Sequence, residues 1–399
     1  MSYDVRRIRG QVPALAEGAA HFDGPGGTQI PEPVAAAMAE VLRSAVSNRG
    51  RGTAAERRAD DIVTGARSAM ADLLGADAGG IVFGRSMTQI TFDIARTLAS
   101  GWGEGDEIVV SRLDHDADVR PWVIHATNAG ATVRWAEFDP ATGEMAVEDV
   151  LRHVNDRTRI VALTGASNLI GTRPDLGSIA DGVHEAGALL YVDGVHLTAH
   201  APVDVASIGA DFYACSPYKF LGPHLGALAA SPALLETLHP DKLLPATNAV
   251  PERFELGTLP YELLAGVTAA VDFLADMVPA SGSRRERVLA SMAALEDYED
   301  GLHARVRAGL ESIPGIRLFS NAKHRTPTET FVIEGVDSAE VSRLLAERGV
   351  NAPSGNFYAL EVSRHLGLGD AGGVRVGLAP YSDDDDVDRL LAGLRELAA

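Results

Sequence analysis

From about residue 80 to 230, seven short β-rich runs alternate with stretches of helical periodicity. The runs are IVFG, EIVVSR, ATVRWAEF, RIVALTG, ALLYVDG, FYACS and GALAAS, and TQITFDIARTLAS and DLGSIADGVHEAGA typify the amphipathic segments between them. Strands joined through helices run in the same direction, because each crossover returns the chain to the same end of the sheet. The alternation therefore predicts an α/β domain with a largely parallel sheet flanked by helices. After residue 262 the pattern changes to long helical segments, chiefly SRRERVLASMAALEDYEDGLHARVRAGLESI. The short strands TFVIEGV and GVRVGLAP follow, then a closing helix, DDDDVDRLLAGLRELAA, whose acidic start suits a helix N-terminus. The expected organisation is a large α/β domain over 26–262, a smaller α+β C-terminal domain over 263–399, and an N-terminal segment over 1–25.

A chain of 399 residues has ample material for a core and exceeds what one small core organises. With 46% hydrophobic and 23% charged residues it falls among ordinary globular proteins. A formal net charge of −20 disfavours nucleic acid, whose backbone is bound by clustered Lys and Arg, and favours a small-molecule partner. No apolar run approaches membrane-spanning length, and the opening MSYDVRRIRGQVPALAEGAA lacks the apolar stretch of a secretory signal, so a cytoplasmic location is expected. A single cysteine, Cys215, precludes an intramolecular disulfide or a cysteine-rich zinc site. GxxxxGK[ST], HExxH and GxSxG are all absent.

In open α/β sheets ligands collect at the carboxyl ends of the strands, so the residues just after each β run matter most. After IVF comes GRSMTQ, where Thr88 and Gln89 open a helix whose free N–H groups can hold a phosphate. RIVALTG leads to Asn168, ALLY to Asp193 and His196, FYA to Ser216 and Lys219, and SRLDHDAD places His115 after another strand. Singly, each has a commonplace alternative as a turn residue, a helix cap or a solvated charge. Together, a phosphate cradle, a carboxylate, an imidazole and a lysine on adjacent strand ends are the parts needed to hold pyridoxal phosphate. Burial of Lys219 between Tyr218 and Phe220 would favour the neutral amine that attacks an aldehyde.

The ordered segments GRSMTQ, DHDADVRPW, ASNLIGT, YVDGVHLTAH, SPYKFLGPHLG, RFELGT and RVGLAPYS resemble the class V aminotransferases, most closely the cysteine desulfurase-like branch, from about residue 20 to the C-terminus. The resemblance implies a fold-type I pyridoxal-phosphate enzyme working as a homodimer with active sites shared between subunits. It implies Lys219 as the Schiff-base lysine, Asp193 as partner of the pyridine nitrogen, and His115 as the imidazole stacked on the ring. Asn168 and His196 match positions that contact the ring oxygen. Thr88 and Ser216 match phosphate ligands, with Thr258 of FELGT donated by the other subunit, and Arg375 matches the arginine that pairs with the substrate α-carboxylate. The glycine-rich FDGPGGTQIP lacks GxGxxG spacing and matches an N-terminal segment that borders the active site. SNRGRGT places Asn48 and Arg49 as candidates for substrate contact.

Two departures bear on the reaction. Tyr218 stands where many relatives have a histidine before the lysine. The loop NAPSGNFYALEV aligns with the segment that carries the nucleophilic cysteine of the desulfurases, and it has none; Tyr358 or a neighbour occupies that place. The expected function is C–S cleavage, by β-elimination, of cysteine or an S-substituted cysteine without a catalytic persulfide. Transamination, decarboxylating or oxidative deamination and epimerisation of an amino acid on the same fold are the alternatives. A non-enzymatic pyridoxal-binding regulator is disfavoured, because no helix-turn-helix segment precedes the fold.

Overall fold

The structure is a computed structural model that describes residues 3–398; Met1, Ser2 and Ala399, at the ends of the expected domain ranges, lie outside the described residues. The seven β-rich runs form one sheet: β1 (Ile81–Gly84), β2 (Glu107–Ser111), β3 (Thr132–Ala136), β4 (Thr158–Thr164), β5 (Leu189–Asp193), β6 (Phe212–Cys215) and β7 (Gly226–Ala230). Their spatial order is β1-β7-β6-β5-β4-β2-β3, and β7 alone runs antiparallel to its neighbours. Helices cover both faces, which is why β2 and β6 are buried along their whole length, whereas the edge strand β3 alternates exposed and half-buried positions.

A second sheet is antiparallel, with β8 (Ile316–Leu318), β9 (Thr328–Ile333), β10 (Ser354–Gly355) and β11 (Gly373–Gly377) in the order β10-β11-β9-β8. Its core, with Phe331, Val374 and Val376, also takes in Ala20 and Phe22 from the N-terminal segment. There Ala20–His21 pairs in parallel with Val350–Asn351.

The helices after residue 262 do not all leave the first core. Helix Tyr261–Ala275 packs on Glu32–Arg43 and Ala54–Leu74, and its Leu264, Val267, Val271 and Leu274 are fully buried there. Each such side chain contributes at most about 1.5–3 kcal/mol. The 28-residue helix Arg284–Glu311 serves both cores: Val288, Met292 and Leu295 belong to the first, Leu302, Val306 and Leu310 to the second. Among the described residues no helix is long and apolar enough to cross a membrane.

The parallel strands deliver their carboxyl ends to one edge of the large sheet. At β1 the chain turns through Ser86, whose hydroxyl caps helix Met87–Ala99 by accepting from the Gln89 N–H at 3.1 Å. Gly226 of β7 lies directly beneath this turn; a Cβ there would sit 2.2 Å from the Ser86 carbonyl carbon, so glycine sets how low the helix start can lie.

Candidate active site

A cavity of about 550 Å³ opens at that edge. It gathers nine of the expected residues: Thr88, His115, Asn168, Asp193, His196, Ser216, Lys219, Tyr358 and Arg375. Four are not brought into it. Gln89 turns away, its side-chain amide donating to Asp93 at 3.3 Å and its backbone N–H already held by Ser86, so the groups free at the helix start among the described residues are the N–H groups of Met87 and Thr88. Thr258 is exposed and lines a neighbouring pocket together with Gln89 and His224. Asn48 is exposed outside the cavity, and Arg49 beside it is engaged by Asp60 at 2.8 Å and Glu252 at 2.9 Å.

Lys219 follows β6 on a short turn, partly buried, with its ammonium 5.0 Å above the Tyr218 ring and donating to the Pro25 carbonyl. Burial and the nearby Arg375 bring the ammonium down to about 7, with Asp193 acting the other way. At neutral pH a large share is free amine, the nucleophilic form. The glycine-rich N-terminal segment closes over this turn: Thr28 donates its N–H and hydroxyl to the Tyr218 carbonyl at 2.9 and 3.1 Å. Gly27, at φ +156°, lies so close that a Cβ would meet the Tyr218 ring at 3.3 Å. FDGPGG is thus a close-approach segment, and Pro25 and Gly26 line the cavity.

Asp193, at the end of β5, is buried and accepts from the Val195 N–H at 2.9 Å; burial raises its carboxyl to about 6, so it is largely ionised at pH 7. His115 accepts from the Ala117 N–H at 3.0 Å through Nδ1, which leaves the proton on Nε2. Burial, Lys219 and Arg375 hold its imidazolium down to about 4, so the ring is neutral. His196 is buried and neutral for the same chief reason; its Nε2 meets the Thr328 hydroxyl at 3.0 Å while Nδ1 has no partner. Asn168 donates to the Phe357 carbonyl at 3.1 Å, and its Oδ1 has no partner. Arg375, 2% exposed on β11, donates to the Asn168 carbonyl at 2.9 Å and stacks on the Phe357 ring at 3.7 Å, with Nε unpaired. Burial lowers its guanidinium to about 9 and Asp23 opposes this, so at neutral pH it is a buried cation short of an anion.

Phe357 was not visible as a site residue. Neither it nor Tyr358 signals its backbone: both have positive φ, 52° and 59°, which sequence would lead one to expect of glycine or asparagine. Tyr358 is 74% exposed at the rim, its ring 5.6 Å from that of His115. Arg120, also lining the cavity, is neutralised by Asp116 at 2.7 Å and Glu361 at 3.4 Å. Tyr218, in place of the expected histidine, stacks on His224 with ring centroids 4.8 Å apart.

The sequence model of the aminotransferase class-V family matches residues 20–390. The chain belongs to that family. It is 34% identical to an uncharacterised protein of Mycobacterium tuberculosis, with both chains covered in full. To the aminotransferase-like protein FGM3 of Gibberella zeae it is 30% identical over 98% of each. Its fold superposes on the crystal structure of the cysteine desulfurase CsdA from Escherichia coli with a TM-score of 0.87 at 28% identity, covering both chains in full. The chain is a pyridoxal-phosphate-dependent enzyme of fold type I related to the cysteine desulfurases.

The cavity fits that cofactor chemically. It offers a lysine whose ammonium is easily deprotonated, an ionised carboxylate, unpaired helix N–H groups, the Ser216 hydroxyl, and buried polar atoms on Asn168 and His196 that still lack partners. Buried polar atoms in a folded protein are nearly always satisfied, so this concentration of orphans marks a place for a polar ligand.

Proposed function

We propose that this enzyme cleaves the C–S bond of cysteine or an S-substituted cysteine by β-elimination, without an enzyme-bound persulfide. The carrying observation is the state of Cys215. It is the only cysteine of the chain, it is fully buried on β6, and burial together with Asp193 pushes its thiol well above the ordinary range. Persulfide chemistry needs an accessible thiolate, and this sulfur is neither.

Lys219 and Asp193 would hold the cofactor's carbonyl and ring-nitrogen ends, with Ser216, Thr88 and the helix N-terminus at the phosphate. Bound pyridoxal phosphate supplies an electron sink for the bonds at the substrate's Cα. Arg375 pairs with the substrate carboxylate, which supplies the anion its buried guanidinium lacks, and Phe357 fixes the plane of that fork. Lys219 as free amine takes the Cα proton, and the sulfur leaves with the pair of the Cβ–S bond. Addition of water then gives pyruvate, ammonia and the thiol. Met87, Phe92, Phe357 and Tyr358 line the cavity and suit an apolar sulfur substituent. Thr258 and Asn48, exposed on the single chain, are available to complete a neighbouring subunit's site in a cytoplasmic homodimer.

The test is product analysis with cysteine and S-alkylcysteines. Pyruvate and ammonia in equal amounts are expected, with Cys215→Ala retaining activity and Lys219→Ala losing both activity and the borohydride-reducible link to the cofactor. Alanine as product, with activity lost in Cys215→Ala, would refute the reading. Transamination is the second reading, favoured by the similarity to the aminotransferase-like protein FGM3 of Gibberella zeae; turnover that depends on an added keto acid would select it.

A further inference from the structure

Asp114 and Asp118 bracket the three residues, His115, Asp116 and Ala117, that the LDHDAD turn contributes to the cavity wall, yet neither lines the cavity itself. They are 1% and 0% exposed. Two of their four oxygens have donors: Ser111 donates its hydroxyl to Asp114 Oδ2, and Trp122 donates Nε1–H to Asp118 Oδ1 at 2.9 Å. The other two, Asp114 Oδ1 and Asp118 Oδ2, have no hydrogen-bond partner, although the Thr164 backbone N–H bears on the Asp114 carboxyl and the two carboxyls bear on each other. Two carboxylates in contact cannot both be ionised in a buried site, and one proton between them would satisfy both orphan oxygens at once. A second proton has no equivalent place on Asp118, because the Trp122 indole can only donate to the oxygen it faces, and on Asp114 it would displace the Ser111 donor.

We propose that a single proton lies between Asp114 Oδ1 and Asp118 Oδ2 and that this shared proton is a clasp closing the turn that presents His115 to the cavity. Both residues are positioning residues for His115. The clasp works with the backbone, since the Asp118 N–H donates to the His115 carbonyl at 2.9 Å and the Ala117 N–H fixes the His115 ring. The titratable groups bearing on the pair are Asp193 and Tyr191, both on β5, with the Tyr191 phenol tied to Thr91 at 2.8 Å. The largest charge influences on both members are carboxylates, and together with burial they hold the proton in place well above the usual carboxylate range.

The native fold therefore retains a proton that the unfolded chain releases near pH 4, so the clasp's contribution to stability declines as pH rises from there through the pair's own titration. Asp118→Asn puts an amide N–H donor to Asp114 where the shared proton lay, and so lowers the pH at which Asp114 ionises in the fold. Its stability relative to wild type should therefore rise with pH between 6 and 9, whereas Asp118→Ala should lower stability throughout. Infrared spectra of the cofactor-free protein at pH 8, where Asp193 is ionised, should show a protonated-carboxyl C=O band that Asp118→Asn or Asp114→Asn removes. Bands from other buried carboxyls, Glu255 and Glu299 among them, persist in both and cancel in the difference. An Asp118→Asn variant destabilised like Asp118→Ala at every pH, or a difference spectrum without a lost C=O band, would overturn the clasp. Neither readout depends on which reaction the enzyme catalyses.

Discussion

Lys219→Met is expected to stabilise the cofactor-free protein, and by an amount that depends on pH. The lysine ammonium falls from its usual 10.5 to about 7 in the folded chain, because it is buried beside Arg375. Between those values the unfolded chain holds a proton that the fold expels, so the penalty is full below pH 7 and vanishes above 10.5. At about 1.4 kcal/mol per pH unit the penalty reaches at most about 4 kcal/mol at pH 7 and about 1.4 kcal/mol at pH 9.5, solvent at this partly buried site acting to reduce both. Methionine fills a similar volume without a charge and forfeits the hydrogen bond to the Pro25 carbonyl, worth about 1 kcal/mol, together with the ammonium's contact with the Tyr218 ring, which is present only while the lysine is charged. The net gain is then up to about 3 kcal/mol at pH 7 and close to zero at pH 9.5. Urea unfolding of the cofactor-free wild type and variant, followed by circular dichroism across pH 6.5 to 9.5, measures the difference directly. Groups common to both proteins cancel. A variant no more stable than wild type at pH 7, or one whose advantage does not shrink with rising pH, would show that Lys219 is an ordinary solvated ammonium.

Arg375→Gln should lower kcat/KM by about 30- to several thousand-fold, the range for a buried charge pair losing one partner at 2–5 kcal/mol, with Arg375→Lys between it and wild type because the point charge remains but the fork is lost. Gly226→Ala should cost about 1–3 kcal/mol in thermal unfolding and weaken cofactor binding in a spectral titration, since the added methyl forces the Ser86 turn off the sheet. At the far end of the sheet, Glu107 is held well below the usual carboxylate range by Arg134 at 2.9 Å, Arg157 at 2.8 Å and Asn155 at 3.0 Å. Its contribution is complete above pH 4.5 and lost as pH falls, so Glu107→Gln should reduce stability at pH 7 and flatten the acid side of a stability-versus-pH curve.

The strands and the residues at their ends were legible because β-rich runs of four to seven residues, separated by helical periodicity, leave few other topologies, and a parallel sheet sends its strand ends to one edge. His115, Asn168, Asp193 and Lys219 could be read for that reason. Phe357 could not, since its value lies in a positive φ that turns an ordinary aromatic beneath Arg375. Asp114 and Asp118 were in plain view within DHDAD, with Ser111 and Trp122 three and four residues away, but an aspartate in sequence is solvated until burial says otherwise, and that burial comes only with the packed fold. Asn48 and Thr258 were read from the resemblance, and the single chain leaves both on its surface.

The loop that ends at Tyr358 bears on the reaction through its backbone as well as its missing thiol. Two successive non-glycine residues with positive φ cost about 1–3 kcal/mol each, and they persist only where surroundings over-determine them. Here four hydrogen bonds do so: Asn168 Nδ2 to the Phe357 carbonyl at 3.1 Å, the Asp116 N–H to the Tyr358 carbonyl at 2.7 Å, the Tyr358 N–H to Asn356 Oδ1 at 3.0 Å, and the Ala359 N–H to the Asn356 carbonyl at 2.8 Å. Two of these anchors, Asn168 and Asp116, lie on the cavity wall. A group that attacks a substrate's sulfur and then hands that sulfur on has to travel between two positions, and a segment fastened at consecutive residues to the wall it faces is poorly built for that. It is well built to hold Phe357 against Arg375, which on the proposed reading would give the substrate's carboxylate a fork of fixed orientation. Its strain is therefore better explained by a stationary wall than by a delivery arm, and this favours departure of the intact sulfur group over its transfer to the protein.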